Sequence, residues 1–162
     1  MSGRAWTVGE DVDTDAMAPG SHMKAGIEVI AAHCLESLRP EFAAGVRPGD
    51  VLVAGRNFGT GSSREQAPQA LRHLGLAAVV AVSFAGLFHR NALNLGLPVL
   101  VCPGAREIAD GAIVEVDPGR GLVRVEGRRE PIACEAIPPF LLAMVRDGGL
   151  LPHLEARLRG RA

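Results

Sequence analysis

Val51-Leu52-Val53-Ala54-Gly55-Arg56-Asn57-Phe58-Gly59-Thr60-Gly61-Ser62-Ser63-Arg64-Glu65-Gln66 is the stretch on which the fold turns. Arg47-Pro48-Gly49-Asp50 before it is a turn signal, so the four apolar residues from Val51 read as a short buried strand. A glycine-rich loop, Gly55 to Gly61, leads into Ala67, Ala70, Leu71 and Leu74 at helical spacing, and Gly75 closes that helix as a C-cap.

The pattern then repeats. Residues 77–82, Ala-Ala-Val-Val-Ala-Val, form a second apolar run. Residues 83–95 fit a second helix, with Phe84, Leu87, Phe88 and Leu95 on related faces and Gly96 at its end. Residues 97–101, Leu-Pro-Val-Leu-Val, make a third strand. Strand–helix–strand–helix–strand implies a parallel sheet with crossover helices. The last third differs: residues 112–116 and 122–126 alternate around Asp117-Pro118-Gly119-Arg120-Gly121, which is a β-hairpin signal. A helix is expected near residues 27–38, and another from Pro138 to Val145, ended by Gly148-Gly149. The expected class is α/β: a parallel central sheet, crossover helices and an added C-terminal β-hairpin.

With 162 residues, 48% of them hydrophobic, the chain suits one domain over residues 1–162. A net charge of -1 gives no electrostatic reason to bind nucleic acid or an anionic membrane. No tyrosine and a single tryptophan leave few platforms on which bases could stack. No apolar run approaches the roughly 20 residues of a membrane helix. The N-terminal residues lack a signal-peptide apolar core and turn acidic at Glu10-Asp11, so a cytoplasmic location is expected. Cys34, Cys102 and Cys134 are far apart and form no C-x-x-C pair, so they read as inert thiols and no metal site is expected from this chain alone.

The loop carries the chemistry. Gly59 and Gly61 allow close backbone approach to a ligand. Ser62 with Glu65, and Ser63 with Gln66, each fit the S-x-x-E/Q capping box. A helix N-terminus there would favour an anion, and the Arg64 guanidinium could grip a carboxylate in two-point fashion. The bland alternative is a capped helix with a solvated arginine. A P-loop is excluded because no Gly-Lys-Ser/Thr follows, and a dinucleotide fingerprint because Arg64 stands where its third glycine belongs. A serine hydroxyl among free N–H groups and beside a guanidinium has its alkoxide stabilised, which suits a general base acting on a carbon acid.

At this point the sequence resembles the aconitase superfamily. The match runs through Asn57-Phe58-Gly59-Thr60-Gly61-Ser62-Ser63-Arg64-Glu65-Gln66-Ala67, then Ser83-Phe84-Ala85 and Arg90-Asn91, with Asp13-Thr14-Asp15 upstream. Order and spacing are similar to the small subunits of 3-isopropylmalate dehydratase and homoaconitase over residues 5–150. The resemblance implies a swivelling β/β/α domain and a larger partner that holds a [4Fe-4S] cluster on its own cysteines. It also implies a small di- or tricarboxylate substrate, isomerised by dehydration and rehydration. By the same resemblance Ser62 is the base, Asp15 an acidic catalytic residue, Arg64 a substrate-carboxylate ligand, and Ser63 and Thr60 neighbouring substrate contacts.

Departures from the family pattern bear on the substrate. Leucine-pathway small subunits often carry Cys where Thr60 stands and His where Gln66 stands, and Gly86 replaces a frequent Arg. The loop Gly20-Ser21-His22-Met23-Lys24 is where the family sets substrate choice, so His22 and Lys24 are candidate contacts for an additional carboxylate. The alternatives for the chain are a homoaconitase or methyl-substituted malate dehydratase small subunit, or an anion-binding partner module without chemistry. His33, His73, His89 and His153 show no metal-ligand spacing, and Arg157, Arg159 and Arg161 read as a basic helix end.

Overall fold

The computed structural model describes residues 2–160. Its strands are β1 (Gly3–Thr7), β2 (Val51–Ala54), β3 (Ala78–Ala81), β4 (Val99–Val101), β5 (Ile113–Asp117), β6 (Leu122–Val125) and β7 (Ile132–Ala133). Its helices are α1 (Thr14–Met17), α2 (Ile27–Ala32), α3 (Phe42–Gly45), α4 (Gln66–His73), α5 (Gly86–Asn94), α6 (Pro139–Arg146) and α7 (Leu150–Gly160). Arg161, expected to extend the basic helix end, lies outside the described residues.

All seven strands form one sheet in the order β4-β3-β2-β1-β5-β6-β7. The pairs β1–β2, β2–β3 and β3–β4 are parallel, and β1–β5, β5–β6 and β6–β7 are antiparallel. The expected parallel sheet and hairpin are therefore joined edge to edge through β1. The sheet also curls. The Glu135 N–H, just past β7, donates to the Val101 carbonyl of β4 at 2.8 Å, so the two ends of the strand order meet. Every residue of β2 and β3 is buried, as expected of strands covered on both faces.

The order β1 to β4 advances in one direction, so right-handed crossovers place the intervening helices on one side of the sheet. Consistent with this, α2 packs on α4, and α4 on α5. Two of these helices end identically. Gly75 (φ +86°) follows α4, and the Leu76 N–H reaches back to the Leu71 carbonyl; Gly96 (φ +81°) follows α5, and the Leu97 N–H reaches the Ala92 carbonyl. Both are Schellman closures, which need a left-handed residue.

The sequence pattern does not announce β1, since Gly3-Arg4-Ala5 is poor in β-forming residues. Asp50 holds it instead. The buried Asp50 carboxylate accepts from Trp6 Nε1 at 2.9 Å, Arg4 N at 3.0 Å and Arg47 N at 2.9 Å. Burial raises the Asp50 pKa, but these hydrogen bonds outweigh it and leave the carboxyl below the usual range. Trp6 is buried edge-on to Phe42 at 5.3 Å, a geometry worth about 0.5–1.5 kcal/mol beyond area burial.

Two further expectations are corrected. The helix near residues 27–38 stops at Ala32; turns follow, and Leu35 takes φ +60°. The capping boxes do not form. Glu65, not a serine, is the N-cap of α4, and its side chain makes no capping bond. The Arg64 N–H bonds the Ser62 carbonyl and the Ala67 N–H bonds the Arg64 carbonyl, so two tight turns occupy the residues that a longer helix would use.

Candidate active site

The site lies outside the carboxyl ends of β1, β2 and β3, where ligands gather in open parallel sheets. Pairing continues past the strand ends. Gly59 N–H donates to the Val12 carbonyl at 2.8 Å, Thr14 N–H to Thr60 at 2.9 Å, and Phe58 N–H to Ser83 at 3.0 Å. Three loops, one after each of these strands, are thus laced together. Beneath them Phe58 packs edge-on to Phe88 at 5.2 Å. Gly59 (φ +86°) rests against Phe88 so closely that a Cβ there would enter the ring.

Asp13 caps the short α1 by accepting from Ala16 N–H at 2.8 Å. That cap aims Asp15 across the loops. Asp15 Oδ1 accepts from Arg64 Nη1 at 2.7 Å and from Gly20 N–H at 2.9 Å. Hydrogen bonds from Arg64 and then Gly20 hold the Asp15 carboxyl below its usual pKa, so it is ionised at neutral pH. Arg64 Nη1 also donates to the Ala18 carbonyl at 3.0 Å. Its Nη2 makes no hydrogen bond among the described residues and stays available for a carboxylate.

The Ser62 hydroxyl is exposed, with Thr14 Oγ1 at 3.5 Å, and Thr14 Oγ1 donates to the Ser62 carbonyl at 2.9 Å. Ser62, Ser63 and Arg64 line a recess of about 30 Å³ together with Ala85, Leu87 and Asn91. That volume suits one water. A larger ligand would have to lie at its mouth. A larger cavity, about 620 Å³, is lined by Glu10, Asp11, Asp13 and Asp15 with Arg39, a poor host for an anion.

Among the expected residues the fold gathers Asp15, Ser62, Ser63 and Arg64. Thr60 contributes backbone pairing to Asp13, and its side chain does not line the recess. Lys24 is exposed on the loop beyond Gly20. His22 stacks on His33, with ring centroids 3.8 Å apart. The helix N-terminus at the recess is that of α5, whose Ala85 and Leu87 line it, and not that of α4. The first N–H groups of a helix have no intrahelical partner, so α5 supplies the positive end that sequence reasoning placed one helix too early. Ser83-Phe84-Ala85 before it held the usable signal.

The thiols do not form a cluster ligand set. Cys34 and Cys102 are buried, and Cys134 is half-buried. Burial pushes the Cys34 thiol pKa up. No three cysteines converge among the described residues.

The α/β sheet thus presents, on loops laced at its carboxyl ends, an anchored arginine and two exposed serines around one small recess. The aconitase C-terminal domain model matches residues 42–103. The 3-isopropylmalate dehydratase small subunit of Syntrophus aciditrophicus is 41% identical over 162 residues, covering 99% of both chains. The methanogen homoaconitase small subunit of Methanothermobacter thermautotrophicus is 44% identical, covering 94% of this chain and 89% of that one. A crystal structure of 3-isopropylmalate dehydratase from Methanocaldococcus jannaschii superposes with a TM-score of 0.92 at 40% identity, covering 99% of this chain and 96% of that one. The chain belongs to the aconitase family, among the small subunits of its 3-isopropylmalate dehydratase and homoaconitase type.

Proposed function

We propose that this chain is the swivelling small subunit of a heteromeric hydro-lyase that isomerises a hydroxy di- or tricarboxylate by dehydration and rehydration. Arg64 carries the reading: its Nη1 is fixed by Asp15 and Ala18, its Nη2 is free among the described residues, and it lines one recess with Ser62 and Ser63. Arg64 binds a substrate carboxylate, and Asp15 positions Arg64. Ser62 removes the proton α to a carboxylate, with the N-terminus of α5 stabilising its alkoxide. Ser63 donates to the substrate. Thr60 holds the loop through its backbone pairing with the Asp13-Thr14 segment.

The small recess supports a split site, closed when a large partner meets this face in the cytoplasm. The [4Fe-4S] cluster belongs to that partner, since the thiols of this chain do not fit one. Lys24 and His22, on the loop beyond Gly20, meet the distal end of the substrate; a cation there favours a homoaconitate-type acid with an additional carboxylate. Gly86 favours a second reading, a carboxylate-binding module without turnover, because no atom lies within 4 Å of the place its side chain would fill.

The test is co-expression with the large partner, reconstitution of its cluster, and assay of isopropylmalate, homocitrate and methyl-substituted malates. Ser62→Ala should lower kcat by about 10²–10⁴-fold, the range of a lost general base. Unchanged turnover would remove Ser62 from the mechanism, and no turnover of any of these acids by the wild-type pair would favour the binding module.

A further inference from the structure

We propose that His22, His33 and Glu36 form a binding site for a divalent transition-metal ion of the zinc, cobalt or nickel kind. The two imidazoles lie parallel, with 8° between their planes and centroids 3.8 Å apart. His33 Nδ1 is 2.7 Å from Glu36 Oε2. One donor atom from each of the three side chains lies within 4.8 Å of the other two. These residues come from separate pieces of chain: His22 ends the 3-10 turn Gly20–His22, and His33 and Glu36 follow α2. The proposed catalytic roles use neither His33 nor Glu36.

Tetrahedral zinc takes donors at about 2.0–2.1 Å, which sets them roughly 3.3–3.4 Å apart. The donor atoms lie within 4.8 Å of one another, so closing the cluster onto an ion changes their spacing by up to about 1.4 Å. Two parallel rings cannot both aim an in-plane lone pair at one ion. A turn of His22 about its Cβ–Cγ bond, with the stack opening, provides the second direction, and both rings are only half-buried. The ion takes the place of the proton now held between His33 Nδ1 and Glu36, which widens that contact to tetrahedral spacing.

The donor set fixes the class of ion. Two imidazole nitrogens and one carboxylate suit zinc, cobalt or nickel, whereas magnesium and calcium require oxygen-rich shells. The remaining position stays open to water. The site would fasten the Gly20–His22 turn, whose Gly20 end bonds Asp15, to the segment after α2. It would brace the loop that carries Lys24 without entering the recess.

The experiment uses the full chain without an affinity tag, stripped of metal by a chelator. Cobalt(II) is titrated in and followed by its visible absorption; zinc(II) is then added in competition. One cobalt ion per chain with tetrahedral bands, displaced by zinc, is expected. His22→Gln and His33→Gln should abolish the bands. Glu36→Gln should weaken binding about tenfold or more. His153→Gln, on α7, serves as the unaffected control. Circular dichroism verifies folding, and if His33→Gln does not fold, His22→Gln on the surface turn decides alone. Absence of stoichiometric uptake, or uptake that survives His22→Gln, overturns the site and reduces the cluster to a packing stack. The readout is independent of turnover; a metal-bound His22 leaves the distal substrate contact to Lys24, and neither outcome touches the roles of Ser62, Arg64 and Asp15.

Discussion

Arg64 and Asp15, 49 residues apart in sequence, form an ion pair of 2.7 Å that joins the loop after β1 to the loop after β2. The Asp15 side chain is 64% exposed, so the pair contributes little to stability and its value is directional. It fixes one edge of a planar guanidinium and leaves another edge for substrate.

Lysine keeps the charge but not the fork. Arg64→Lys is therefore expected to raise KM for the carboxylate substrate about 10–100-fold, as for a lost charge-assisted hydrogen bond. The unfolding midpoint in urea should hardly move. Steady-state kinetics on the reconstituted heteromer, with a denaturation curve beside it, checks both.

Asp50 predicts an acid limb of stability. Its folded-state pKa is depressed, so its contribution is fully present above the unfolded value of about 3.9 and is lost as pH falls through the folded value. Asp50→Ala leaves the Trp6 indole N–H and two backbone N–H groups without their acceptor and should cost about 2–4 kcal/mol at neutral pH. The gap between wild type and variant, measured by urea denaturation, should narrow on acidification. A gap that stays constant down to strongly acid pH would contradict the assignment.

Gly59 and Gly61 both have left-handed backbones but differ in what surrounds them. At Gly59 a methyl group meets the Phe88 ring, so Gly59→Ala combines backbone strain with overpacking and should cost about 2–4 kcal/mol. At Gly61 the nearest atom is Thr14 Oγ1 at 3.4 Å, an ordinary contact, so Gly61→Ala should cost only about 1 kcal/mol, from strain. Guanidinium unfolding of the two variants compares them directly.

Gly86 is the first residue of α5 and is exposed, and a methyl group added there would meet no atom within 4 Å. Gly86→Ala should stabilise the chain by about 0.5 kcal/mol through the unfolded state. A thermal melt should show a rise of about 1–2 °C.

The parallel half of the sheet was legible because two helices in succession end in a glycine after a periodic apolar face, and the runs between them are too short for anything but strands. Gly75 and Gly96 each mark a Schellman closure. β1 was not legible, because what defines it is Asp50, a residue remote in sequence whose carboxylate clamps the Trp6 indole. At the candidate site, Ser62, Ser63 and Arg64 were singled out by local spacing and resemblance, and the fold brings them to one recess. Their relation to α4 was misread because the S-x-x-E/Q spacing suggests a helix start at the serines, whereas α4 begins only at Gln66, after tight turns from Ser62 to Ala67. The stack of His22 on His33 leaves no trace in spacing, since a turn at Leu35 and a separate loop bring the parts together.

The placement of β1 has a consequence for biosynthesis. Residues 5–7 pair with residues 51–53, and residues 3 and 4 pair with 114 and 113. β1 thus has one neighbour made much later in the chain and another made later still. At about 5–20 residues per second, the second neighbour is synthesised roughly 5–20 s after the first strand. Through that interval β1 carries an unmatched edge and an uncovered indole, and the two halves of the sheet become one only after β5 has been made.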